Sequence, residues 1–117
     1  MADILPPPEY LIESYLTVLE MMKAENKDLA GLIQKSHQLR TEYEERHDYW
    51  KKLLPEGEIR KTLVEQSYQH GREFLDLRDE KFIPALQRGD RVEAAQVLTR
   101  IVQSYQAHRA DIDLFLS

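Results

Sequence analysis

Apolar residues recur at intervals of three and four along almost the whole chain, the spacing of amphipathic helices. Leu11, Tyr15, Val18 and Met22 form one stripe, widened by Leu16 and Leu19, and predict a first helix over about 8–24. Pro8 suits its first position, where a missing N–H costs nothing, and Glu9 suits the positive helix end. Residues 1–7 are expected to be extended, because each proline of the Pro6-Pro7-Pro8 run disfavours the α region for its predecessor. The polar stretch Glu25-Asn26-Lys27-Asp28 marks a break, with Asn26 or Asp28 as the next N-cap.

A second helix is predicted over 28–54, with Leu29, Leu32, Ile33, Ser36, Leu39, Arg40, Tyr43, His47, Trp50 and Leu54 on one face, ended by Pro55 and Gly57. A third is predicted over 58–88 through Leu63, Val64, Tyr68, Gly71, Phe74, Leu75, Arg78, Phe82 and Leu86. Pro84 should kink it, and Gly89 is a natural C-terminal cap. The fourth is predicted over 90–116, with Asp90 as N-cap and Glu93 in capping-box position. Its stripe is Ala94, Val97, Leu98, Ile101, Tyr105, His108, Ile112 and Phe115, and it meets no stop signal, as if the helix continued in a longer protein. Short connections between amphipathic helices predict an all-α fold, an up-down-up-down antiparallel four-helix bundle forming a single domain over 1–117.

Length and composition agree with that picture: 117 residues allow one domain, and 4 Gly and 5 Pro supply too few turns for an all-β fold. The net charge of −5 disfavours nucleic acid as a partner. With no Cys, disulfides, cysteine-bound zinc and thiol catalysis are excluded. No apolar run approaches the roughly 20 residues that cross a bilayer. No nucleophile elbow, phosphate loop or dinucleotide fingerprint occurs, so neither an enzyme nor a cofactor is expected. Glu44-x-x-His47 has the spacing of di-iron bundles, but it stands alone where two such pairs are required, and no metal is expected. Arg88-Gly89-Asp90 spells an adhesion tripeptide, yet a glycine ending one helix and an aspartate capping the next explain it better.

The unusual segment is 39–50, where Arg40, Tyr43, His47 and Trp50 share a helix face bordered by Arg46 and Tyr49. Such a face is too polar and aromatic for a plain core stripe. Either its arginines clamp a ligand carboxylate while Tyr43 and Trp50 wall a pocket, or Arg40 and Arg46 pair with Glu13, Glu42 or Glu44 and bind nothing. On the first helix, Tyr10, Glu13, Ser14 and Thr17 form a second polar face, which either meets the first across the bundle or faces solvent or a second copy. The candidate ligand-binding residues are therefore Arg40, Tyr43, Arg46, His47 and Trp50, with Tyr10 and Glu13.

The run Ile4-Leu5-Pro6-Pro7-Pro8-Glu9-Tyr10-Leu11-Ile12-Glu13-Ser14-Tyr15-Leu16 resembles the stretch after the first transmembrane helix in one group of bacterial methyl-accepting chemotaxis proteins. Leu39-Arg40 with Tyr43, Arg46 and Trp50 is similar to a second marker of that group. Phe82-Ile83-Pro84-Ala85-Leu86 with Gly89-Asp90 and Ala94-Ala95, followed by Tyr105 and Arg109-Ala110-Asp111-Ile112-Asp113, is similar to its later ones. The likeness spans nearly the whole chain. It implies the periplasmic sensor domain of an inner-membrane chemoreceptor, of four-helix-bundle type. Such a domain works as a homodimer and binds a small organic or amino acid, directly or through a binding protein. Ligand identity does not carry over, because the arginines of the aspartate receptor's site have no clear counterpart at Arg40 or Arg46. The competing expectation is a soluble helical module that recruits a protein partner and no small ligand.

Overall fold

The computed structural model describes residues 7–116, so the expected extended segment lies outside the described residues except at Pro7, which is already helical. Four helices make up that span, with no strand among the described residues: α1 (Pro7–Lys23), α2 (Asn26–Leu53), α3 (58–87) and α4 (Arg91–Leu116). None is long and apolar enough to cross a membrane.

The break between α1 and α2 comes earlier than the polar stretch suggested. The N-cap of α2 is Glu25, not Asn26 or Asp28, in extended conformation and without a side-chain cap. The carbonyls at the end of α1 are satisfied from a distance instead: Arg91, at the start of α4, donates to the Met22 and Ala24 carbonyls. An arginine far along the chain thus caps α1, so the local polar stretch placed the boundary only approximately.

The apolar stripe read for α1 is also turned. Leu16 is half exposed, and Ile12 is exposed beside it; Met21, not Met22, is the fully buried methionine. The inward face is Leu11, Ser14, Thr17, Val18 and Met21. Ser14 and Thr17, expected on a polar face, are buried because each hydroxyl donates to a carbonyl one turn back, to Tyr10 and Glu13 at 2.8 Å. That local bond satisfies the hydroxyl and lets a small polar residue pack as an apolar one does.

In α3 the rod is not uniformly α-helical. Short α-helical turns, Glu58–Arg60 and Ile83–Gln87, flank a central stretch, Ser67–Leu77, and two π-helical turns, Lys61–Gln66 and Arg78–Phe82, separate them. The second of these prepares the way for Pro84. A proline lacks the N–H its turn needs and crowds the carbonyl four residues earlier; a wider turn, in which the Ile83 N–H bonds the Arg78 carbonyl five residues back, relieves both.

The ends of α3 and α4 follow the sequence closely. Gly89 has φ +78°, its N–H bonds the Leu86 carbonyl at 3.0 Å, and the Asp90 N–H bonds the Ala85 carbonyl at 2.8 Å, a Schellman ending. Asp90 accepts from the Glu93 N–H at 3.0 Å as N-cap, but the Glu93 carboxylate turns to Arg88 at 3.1 Å.

The core joins Leu11, Val18 and Met21 to Tyr43, Phe74, Leu75, Phe82 and Leu86, and to Ala94, Val97 and Ile101 of α4. Tyr15 stacks on Tyr105 at 4.3 Å. Gly71 is required by a close approach, because a Cβ there would lie 2.5 Å from the Tyr43 hydroxyl and 2.7 Å from Leu11. The stripe positions Leu63 and Phe115 lie outside the described side chains.

Candidate functional site

The seam between α2 and α3 carries the polar chemistry. Arg40 extends its fork to two carboxylates of α3, with Nη1 donating to Asp79 and Nη2 to Asp76, both at 2.8 Å. Its Nε lies 3.9 Å from Glu44. Of the intramolecular partners expected for Arg40, Glu44 is thus near, while the short contacts go to aspartates 36 and 39 residues away. Burial acts to lower the Arg40 pKa, but the bonds and charges of Asp76 and Asp79 outweigh it and hold the group above its ordinary value.

Above this clasp runs an aromatic ladder. Tyr43 is buried and stacks on Tyr68 at 5.8 Å, and His47 also stacks on Tyr68, at 3.6 Å. The Tyr68 hydroxyl donates to Glu44 at 2.7 Å. His47 Nε2 donates to the Val64 carbonyl, 3.1 Å away in the first π-helical turn. Burial and the bond to Glu44 push the Tyr68 phenol up to about 12, and burial, then the charges of Tyr68 and Glu44, push Tyr43 higher still.

Arg46 lies over the Tyr49 ring at 5.9 Å, and Trp50 meets Tyr49 edge-on at 6.0 Å. Tyr10 packs against the core from α1, and Glu13 is exposed. The structure therefore brings Arg40, Tyr43 and His47 together, places Tyr10 against the core that Tyr43 joins, and leaves Glu13 exposed.

Behind the clasp stands a residue that the sequence had shown only as a member of a stripe. Arg78 is 0 % exposed, the largest wholly buried side chain among the described residues. Its Nε donates to Asp79 at 2.7 Å, so Asp79 takes Arg78 on one oxygen and Arg40 on the other. Neither Nη1 nor Nη2 of Arg78 has a hydrogen-bond acceptor among the described residues, and the buried Ser36 hydroxyl on α2 is in the same position. Burial lifts the Asp79 carboxyl, but the bond and charge of Arg78, then those of Arg40, outweigh it and set the group below the usual carboxylate range. Burying polar groups without partners costs about 1–3 kcal/mol each, which makes an open guanidinium edge in a core the chemical anomaly of this molecule.

Two grooves flank the clasp from outside. One, of about 490 Å³, is bordered on α2 by His37, Arg40, Glu44 and Asp48; the other, of about 450 Å³, is bordered on α3 by Tyr68, Arg72, Asp76 and Lys81. Elsewhere, His70 Nδ1 meets Asp111 at 2.7 Å, and Ser104 donates to Glu73 at 2.6 Å. His108 is buried, with no partner at Nε2; burial foremost brings it down to about 4, against the pull of Asp111. Among the described residues no three His, Asp or Glu converge on a metal-holding arrangement. Comparison of the chain with protein-family models, with curated proteins and with solved structures found no match.

Proposed function

We propose that this chain is the extracytoplasmic sensor domain of a chemoreceptor, that it binds a small anion between its helices, and that it works as a homodimer. The observation that carries the anion is the Arg78 guanidinium, wholly buried and with two nitrogens unpaired among the described residues. The anion-binding role passes from the half-buried Arg40, whose fork aspartates already fill, to Arg78 behind it. The chemoreceptor reading rests on the order and spacing of the sequence markers.

The helix order is up-down-up-down. Its support is the run of cross-links, which descend on one helix as they rise on the next: residues 40, 44 and 47 of α2 meet 79, 68 and 64 of α3, and residues 70 and 73 of α3 meet 111 and 104 of α4. A ligand held between α2 and α3 signals only by its different affinity for two helix arrangements, and α4 is the element that transmits the change.

The test is a thermal-shift screen of amino acids, organic acids and inorganic anions. A ligand at a hundredfold excess over its Kd stabilises by about 2.7 kcal/mol, a rise of several degrees for this length. Stabilisation by an anion supports the reading; a flat screen, together with no response to candidate binding proteins, overturns it. The second reading, a helical protein-interaction module, draws on Ile12 and Leu16, exposed one turn apart on α1.

A further inference from the structure

We infer that the open edge of Arg78, together with the Ser36 hydroxyl, is a subsite for a small planar monocarboxylate, and that the Arg40 clasp is its gate. The inference rests on the small-anion reading above and deepens it by naming the ligand class and the route.

The donor geometry comes first. A guanidinium offers two donor edges, and Asp79 occupies only the Nε position of Arg78. The Nη1–Nη2 edge keeps two parallel N–H donors with no acceptor among the described residues. That fork matches the two oxygens of a carboxylate lying in its plane.

Register brings Ser36 to the same level. Arg40 reaches Asp76 and Asp79, and Glu44 and His47 meet residues progressively earlier on α3. Ser36, one turn before Arg40 on the same face, therefore falls at the level of the Arg78–Phe82 turn. Its hydroxyl is wholly buried and equally without a partner. Two unpaired donors from facing helices at one level mark a shared acceptor better than two separate defects do.

Charge selects a monoanion. Arg40 and Arg78 carry two positive charges, and Asp76 and Asp79 two negative ones. Those charges already cancel, so any bound carboxylate adds net negative charge to a largely buried seam, and a single charge is tolerated there better than the two of a dianion. The wholly or nearly wholly buried Phe82 and Ile83, next along the rod, favour a short apolar remainder.

Access runs through the clasp. Arg40 borders one surface groove and Asp76 the other, and Asp79 joins the clasp directly to Arg78. Opening the Arg40–Asp76 and Arg40–Asp79 bonds exposes the seam in front of Arg78, and reclosing them shuts the ligand inside. Arg40 therefore governs rates of exchange, and Arg78 governs affinity.

The probes are acetate and propionate, compared with succinate, phosphate and sulfate at matched ionic strength, by calorimetry and by NMR of the Arg78 Nε resonance. Saturable binding of the monocarboxylates with a shift of that resonance is expected. Arg78→Lys keeps the charge but loses the fork, and should weaken binding at least about tenfold. Ser36→Ala should weaken it by about three- to tenfold. Arg40→Gln should speed association and dissociation together and leave Kd within about threefold. Circular dichroism checks that each variant folds, and the wild-type NMR shift decides the matter if Arg78→Lys does not. Binding by phosphate or succinate with the monocarboxylates silent overturns the ligand class and leaves the sensor reading standing. So does monocarboxylate binding that is unchanged in Arg78→Lys, which places the site elsewhere. No binding of any probe, with ordered water found on the Arg78 edge, overturns the subsite, and the sensor reading is then decided by the wider screen.

Discussion

Asp79→Ala should be the most damaging single carboxylate removal in this protein, because one side chain neutralises two arginines of unequal burial. The bond to Arg40 is partly solvated, since 24 % of the Arg40 side chain remains exposed, and Arg40 keeps Asp76 when Asp79 is gone. Its loss is worth about 0.5–1 kcal/mol, the scale of surface pairs. The bond to Arg78 is different, because that guanidinium has no exposure and its other two nitrogens have no partner among the described residues. Deleting the carboxylate leaves a buried cation uncompensated, which costs about 3–5 kcal/mol. The sum is about 3.5–6 kcal/mol, against a total stability of about 6–18 kcal/mol for a chain of 117 residues. At about 0.25 kcal/mol per degree for this length, the melting temperature should fall by about 14–24 °C. Asp76→Ala is the control: its side chain is 40 % exposed and it serves Arg40 and, at 4.0 Å, Arg72, so about 1 kcal/mol and about 4 °C are expected. Thermal denaturation followed by circular dichroism compares the two. Equal losses at Asp76 and Asp79 would refute the argument, because they would mean that Arg78 does not depend on Asp79. The same carboxylate sets an acid limit. Its pKa is lower folded than unfolded, so its contribution is complete above about pH 4 and is lost as the pH falls further.

Two other predictions concern the core. Gly71→Ala should destabilise by about 1–3 kcal/mol despite the better helix propensity of alanine, because the added methyl meets the Tyr43 hydroxyl; Tyr43→Phe in the same chain should restore part of the loss, and strict additivity in denaturant melts would disprove the contact. His108, held neutral by burial with a pKa of about 4, makes stability fall as the pH drops from about 6.5 towards 4, since only the unfolded chain takes up the proton there. His108→Gln should flatten the stability profile over that interval, and an unaltered slope would assign the proton uptake to another group.

How much of the site was legible depends on the distance over which each decision was made. The face 40–43–47 of α2 could be read directly, because residues three and four apart on a helix share a side whatever the helix packs against. What that face meets could not. Arg40 keeps the expected Glu44 at 3.9 Å but makes its short bonds to Asp76 and Asp79, and not to Glu13 or Glu42, and only the register of α2 against α3 makes that choice. Arg78 stood in a stripe of apolar residues with a single hint of its role, a charged residue where the period demands an apolar one. Burial turns that hint into a buried cation with an open edge, and burial is a property of the assembled helices.

The elements themselves divide the same way. Helical periodicity, the Gly89 ending and the Asp90 cap are local, set by the conformations of a few adjacent residues, and the sequence alone determined them. So did the Pro55 and Gly57 stop after α2. The end of α1 was decided by Arg91, 67 residues or more further along the chain, and the rotation of α1 by hydroxyls that become core residues once they bond their own backbone. The π-helical turn at Arg78–Phe82 answers a local demand, the missing N–H of Pro84, with a change of register felt by every side chain packed against it. Local chemistry decides where a helix can exist. Which of its residues lose water, and which charges must then share one carboxylate, is decided only when helices far apart in the chain come into contact.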